Sequence, residues 1–249
     1  MGSASAALII GFWALPPVMI GLVLAAVAWA SRKAGRVGSA VAGRVAWVAA
    51  GAAGFWALAN ALAHAGALRF GSLPPRPFLL FMAGFGLTIA FARSEIGRDL
   101  ARHLPLAALI GVQAFRIPVE LLLHRGALDG LTPPQMTYTG LNFDVVTGVV
   151  AIPVAIGVAR GSLGARAARG FNLLGALLLA NVVTIAALSM PTPLRIFMND
   201  PPNVWIASAP FVGLPAALVP VAMLGHLLLW RRLREDARSQ TVAPPAQGL

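Results

Sequence analysis

Residues Ala6 to Ala30 run for 25 positions without a charged side chain. An apolar stretch of about 18 or more residues has no water-facing side, and it matches the length a helix needs to cross a hydrocarbon core about 30 Å thick. Further long apolar runs follow. The composition fits them: 58% of the 249 residues are hydrophobic, and 19 basic plus 8 acidic residues are thin cover for a soluble domain of this size. Backbone polar groups in lipid must be satisfied within the segment, so these runs are helices. None alternates with the period of an outer-membrane barrel strand.

The expected fold is therefore all-α, a bundle of seven transmembrane helices at about 6–30, 45–68, 78–92, 105–124, 143–159, 171–190 and 205–230. The third and fifth are short for a bilayer and must extend or snorkel at their ends. Ala28-Trp29-Ala30 resembles a secretory cleavage site, but the run before it lacks a basic start and is too long, so it reads as a retained span. Residues 1–230 form one domain. Residues 231–249, basic and then ending in SQTVAPPAQGL, read as a disordered cytoplasmic tail.

Charge sets the expected orientation. The connections on one side carry Arg32, Lys33, Arg36, Arg44, Arg93, Arg98, Arg102, Arg160, Arg166, Arg169, Arg231, Arg232, Arg234 and Arg238, fourteen basic residues, against four on the other, Arg69, Arg76, Arg125 and Arg195. The positive-inside rule then puts the N-terminus outside and the C-terminus in the cytoplasm. Trp29, Trp47 and Trp230 fall at the inner interface and Trp205 at the outer one, as an aromatic belt requires. Trp13 and Trp56 fall deeper. The net charge of +11 is spread between apolar runs and does not gather on one face, which argues against a nucleic-acid partner. The absence of cysteine excludes disulfides, thiolate catalysis and Cys-ligated metal in this chain.

Against this background the stretch QAFRIPVELLLHR stands out. At about 100° per residue Gln113, Arg116, Glu120 and His124 share one face of the fourth span, from its middle to its outer end. Arg116 and Glu120 are spaced to pair along the helix. Pro118 cannot donate to the carbonyl of Ala114. An ionisable group at mid-bilayer costs about 2.5–3.5 kcal/mol on insertion scales and faces the bundle or a wet cavity. The stripe must look inward.

Polar groups of other spans lie at similar depth: Asn60 and His64 on the second, Asn142 and Asp144 at the outer start of the fifth, and Asn181 with Thr184 on the sixth. The outer connections add Arg195 and Asp200. Within spans, the cytoplasmic half offers only Asn172 and His226. The expectation is an outward-facing polar pocket binding a small polar solute or ion, linked to transport or sensing. Proton coupling would run through Glu120 and His124.

Other readings stand beside it. Arg116 with Glu120 also reads as a buried clamp fixing helix register, Asp144 as a cap of the fifth helix, and His226 as a packing histidine. His64, His124, Glu120 and Asp144 are a conceivable metal or haem set for an intramembrane enzyme, but no H-E-x-x-H or G-x-S-x-G supports it. The residues name no metal and no cofactor. A non-catalytic scaffold, in which polar groups join helices or dock a subunit, is the third reading. Gly51 and Gly54 on the second span suit close packing within one bundle, with homo-oligomers and partner subunits left open. Lys33, the only lysine, lies in a connection, which disfavours a retinal-type pigment.

FRIPVELLLH, LNFDVVTG, PTPLRIF and DPPNVW resemble segments of a family of uncharacterised bacterial multi-pass inner-membrane proteins with no assigned activity. The resemblance covers about Gln113 to His226. It implies the cytoplasmic membrane of a bacterium and a recurrent outward polar site, and it brings no substrate, cofactor or catalytic role.

Overall fold

The computed structural model describes residues 3–72 and 74–242, with side chains described through Arg238. The apolar runs fold as α1 (Ala6–Lys33), α2 (Ser39–His64), α3 (Arg76–Arg93), α8 (Ala165–Leu188) and α9 (Val219–Val242). The fourth run is broken. It starts as α5 (Leu106–Gly111), tightens into a 3-10 turn at Val112–Phe115, and continues as α6 (Arg116–Leu128). The tightening falls where Pro118 withdraws its donor, the usual cause of such an irregularity. A π-turn at Leu214–Leu218, which contains Pro215 and is followed by Pro220, leads into α9. Among the described residues there is no strand.

Six helical segments are long and apolar enough to cross a membrane: 6–33, 39–64, 76–93, 106–128, 165–188 and 214–238. The fifth expected span is α7 (Val145–Ala159), which has only 15 residues. It is about 22 Å long at 1.5 Å per residue. The chain before it turns into the protein interior. Thr132, Met136 and Thr137 are each 1% exposed and Asn142 is fully buried. Buried irregular backbone needs partners for its polar groups, and Leu141 N–H to Gln135 O at 3.1 Å and Thr137 Oγ1 to Pro134 O at 2.9 Å supply part of them.

Two expectations are corrected. The seventh helical segment begins at Leu214, because residues 205–213 form a 3-10 turn and an irregular connection. The tail expected to be disordered from Arg231 is helical to Val242, and its remainder, 243–249, lies outside the described residues.

One helix was not expected. Ser94 Oγ accepts the Gly97 N–H at 3.2 Å and starts α4 (Glu95–His103), with Glu95 in the first turn. This is an N-cap with its charge on the favourable end. Leu100 and Ala101 face the bundle, while Asp99 reaches Arg44 and Arg36. Arg102 meets Glu235 at 2.7 Å, and Arg231 Nη1 donates to the carbonyl of Ala92 at 2.8 Å. The basic connections thus gather at one end of the bundle. At the other end Ser5 N–H donates to Asp129 at 2.8 Å and Gln135 donates to Ser189 Oγ at 2.8 Å. Burial pushes the Asp129 carboxyl up, but bonds from Ser5 and Arg125 outweigh it and hold it below its usual range.

The tryptophans divide. Trp29, Trp47 and Trp230 are about half exposed or more at the basic end. Trp205, expected at an interface, is only 4% exposed and packs edge-on to Phe12 at 5.5 Å. Leu8, Phe12, Trp205, Ile206 and Phe211 belong to an apolar cluster at this end, and Val27, Leu100, Phe171 and Leu229 to another at the basic end. Along α5 and α6, Gln113 and Arg116 lie between Ile110 of one cluster and Val119 of the other, and Glu120 follows between Val119 and Leu123.

Candidate functional site

Arg116 is 2% exposed, and each nitrogen of its guanidinium group finds a partner. Nε donates to Gln113 Oε1 at 3.1 Å. Nη1 donates to the Asp144 carboxylate and to the carbonyl of Gly175. Nη2 lies 3.0 Å from His226 Nε2. A guanidinium can only donate, so this ring nitrogen accepts and the proton sits on Nδ1. Nδ1 accordingly donates to Asn172 Oδ1 at 2.9 Å. Gln113 Nε2 is used by the carbonyl of Ala222 at 3.1 Å, and Thr147 Oγ1 donates to Asp144 at 3.2 Å. One residue thereby ties α7, α8 and α9 to the broken fourth segment.

The expected Arg116–Glu120 pairing is not what forms. Arg116 turns to Asp144, and Glu120, 1% exposed, takes both its hydrogen bonds from the single amide of Asn142, at 2.8 and 2.7 Å. Asn142 Nδ2 also donates to Met136 O at 3.0 Å, and its Oδ1 accepts the Asp144 N–H at 3.0 Å. Asn142 is the joint between the two carboxylates. No cation among the described residues lies within 4.0 Å of Glu120.

Glycines give the network its room. A Cβ at Gly148 of α7 would come 2.8 Å from Ile117 Cγ1, and one at Gly225 of α9 would collide with Gln113 Nε2. At Gly175 of α8 a Cβ would approach His226 Cε1 to 2.5 Å and Thr147 Cγ2 to 2.7 Å. Small residues let helix backbones approach in this way. Gly175→Val is expected to lower stability by about 1–3 kcal/mol through overpacking, read as a drop in unfolding temperature in detergent. An unchanged midpoint would mean that His226 is not held where its bonds to Arg116 and Asn172 require.

The expected polar cavity has a different character. Arg116, Glu120 and Asp144 form the floor of a crevice whose walls are apolar: Phe78, Met82 and Phe85 of α3, Leu179, Val182, Val183 and Ala186 of α8, and Leu218, Val219 and Ala222 at the start of α9. Both α3 and α8 pack on α9 but barely meet each other, which leaves the gap. It encloses about 100 Å³, several times the space on the order of 10–15 Å³ that one water needs.

Of the other expected site residues, Asn181 is nearest in role, donating at 2.9 Å to the carbonyl of Leu141 beside Asn142. Asn60 is buried but donates to Trp56 O on its own helix. His64 is exposed and stacks on Trp13 with ring centres 6.5 Å apart. His124 packs on Tyr138 at 4.7 Å and does not join Glu120. Arg195 binds the carbonyls of Phe197 and Asn199 within its own connection, and Asp200 is exposed there. His226, expected to be a packing histidine, and Asn172, noted only as a polar group of the other half, are members of the network. Among the described residues no three His, Asp or Glu side chains come together as a metal would need.

The fold and site define an all-helical bundle with six membrane-length helices and a buried ionic network opening on an apolar crevice. Residues 73–234 match the model of a domain of unknown function, DUF8737, and the chain belongs to that family. No curated protein and no solved structure matches the chain.

Proposed function

We propose that this is a multi-pass membrane protein that takes an amphipathic, lipid-soluble molecule from the bilayer into the crevice between α3 and α8, as a step in transport or sensing. The molecule's apolar body lies against Phe85, Val182 and Val183, and its polar group meets Glu120 beside the Arg116–Asp144 pair. The observation that carries this is Glu120 itself: a buried carboxyl group, served by one amide and, among the described residues, by no cation, at the edge of an apolar crevice. A buried charge left without a counter-group costs several kcal/mol. A ligand that brings a donor or a positive charge, or a proton taken up there, removes that cost. The apolar walls move the ligand class from the small polar solute expected from sequence to an amphipathic one.

In this proposal α7 is a seventh span, its short length made up by the inward-turning segment before it. The basic end faces the cytoplasm, with the N-terminus outside and the C-terminus inside, on the strength of the fourteen-to-four division of basic residues. A bacterial cytoplasmic membrane is the setting.

The test is mass spectrometry of the intact protein released from detergent, with the bound molecules identified after extraction. The wild type is expected to carry an amphipathic molecule that Glu120→Gln loses while keeping its folded helical content. Equal retention by Glu120→Gln, or an empty wild type from native membranes, would overturn the proposal.

A further inference from the structure

The basic end of the α3–α9 seam carries a second surface feature, built from residues that the Glu120 site does not use. Arg93, Trp230, Arg231 and Arg234 surround a depression floored by Ile89 and Leu227. The cations differ in state. Arg231 is engaged, donating to the carbonyls of Ala92 and Ser94 and to Glu235 at 3.2 Å, so it staples α9 to the end of α3. Arg93 and Arg234 are exposed, and among the described residues no carboxylate lies within 4.0 Å of either. Glu235 does not balance them, since it already serves Arg102 and Arg231. Trp230, 54% exposed, lines the same depression.

Below this depression the surface continues as an apolar stripe. On α3, Phe85, Ile89 and Arg93 follow at four-residue spacing. On α9, Val219, Met223, Leu227, Trp230 and Arg234 recur at three- and four-residue spacing, so both rows lie along one side of the seam. From Val219 to Arg234 the stripe is about 22 Å long at 1.5 Å per residue, longer than the roughly 15 Å half-thickness of a hydrocarbon core. A cationic head region, an indole at its edge and an apolar track of this length match one class of molecule. Guanidinium groups pair with phosphate oxygens in a two-pronged fashion, and tryptophan favours the level of the headgroups.

We infer that the basic end of the α3–α9 seam binds a phospholipid of net negative charge. The phosphate lies between Arg93 and Arg234, and an acyl chain runs along Ile89 and Leu227 toward the crevice. Its headgroup residues, Arg93, Trp230 and Arg234, are separate from Glu120 and its partners, and the stripe shares only Phe85 and Val219 with the crevice, so failure of one proposal is distinguishable from failure of the other.

The experiment uses the full chain in nanodiscs of phosphatidylcholine with or without phosphatidylglycerol of the same acyl composition, and counts retained lipids by mass spectrometry of the released protein. The wild type is expected to retain phosphatidylglycerol selectively and to unfold at a higher temperature in its presence. Arg93→Gln/Arg234→Gln is expected to bind it roughly thirtyfold more weakly, from the attraction that each basic residue supplies near an anionic surface. Arg160→Gln/Arg166→Gln, which removes two exposed arginines at the end of α7 and in the first turn of α8, is expected to leave retention unchanged. Glycerol phosphate in solution is expected to neither compete nor stabilise, which separates a lipid site from a phosphate site. Equal loss in both double variants would reveal a diffuse charge effect and overturn the inference. So would competition by glycerol phosphate, or retention unaffected by Arg93→Gln/Arg234→Gln. If that variant does not fold, Arg93→Lys/Arg234→Lys keeps the charge but loses the forked geometry; retention equal to the wild type's would then overturn the inference too.

Discussion

Arg116→Met is expected to be the most destabilising single substitution in the network, by about 3–5 kcal/mol, because it strands Asp144 as a buried charge without its partner. The same change removes donors from Gln113, the carbonyl of Gly175 and His226, three groups on three separate elements. Thermal unfolding in detergent, followed by circular dichroism, measures it. The companion variant Arg116→Met/Asp144→Leu removes both charges and is expected to recover much of the loss, since a buried pair replaced by apolar groups of similar volume is often close to neutral. A double-mutant cycle isolates the coupling between the two residues. Additive losses with no recovery would mean that the pair is not the organising interaction of the site.

Asn142→Leu comes next in size. Its side chain is nearly isosteric, so packing changes little, but Glu120 loses both of its hydrogen bonds and the Asp144 N–H loses its acceptor. A hydrogen bond to a charged group is worth about 1.5–3 kcal/mol, and the stranded groups add their desolvation cost. The expected loss is about 3 kcal/mol. Glu120→Leu in the same chain removes the principal stranded acceptor and is expected to restore part of it. If Asn142→Leu left the unfolding temperature unchanged, Glu120 would be drawing its stabilisation from elsewhere, and the joint between the two carboxylates would have no energetic role.

The helices were legible because uncharged runs of this length have few alternative folds. The face of the fourth segment that carries Gln113, Arg116 and Glu120 was legible for a related reason, since burying a charge there requires a partner. Which partner was not. The i, i+4 spacing of Arg116 and Glu120 permits a bond, but the 3-10 turn before Arg116 and the approach of α7 across Gly148 bring Asp144 closer. His226 and Asn172 escaped because a lone polar residue on an apolar helix usually only packs, and nothing in one helix's periodicity names its neighbour across the bundle. His64 and Asn60 were grouped with Glu120 by depth alone, and depth does not fix azimuth; His124 was grouped by helical spacing, which does not decide that its ring turns to Tyr138. The helix α4 did carry a signal, a serine cap followed by glutamate ahead of Ile96 and Leu100, which the search for long apolar runs passes over. The apolar walls around Glu120 belong to α3, α8 and α9 together, and only the folded arrangement assembles them.

The most direct measurement follows from the lack of any cysteine in the chain. Val183→Cys places one reactive thiol on the crevice wall, and a nitroxide attached to it reports what reaches the site in a lipid nanodisc. The account predicts strong relaxation by oxygen, which partitions into hydrocarbon, and little by a water-soluble nickel chelate. Strong relaxation by the nickel chelate would reveal a water-filled hollow in place of a crevice opening to lipid, and would contradict it.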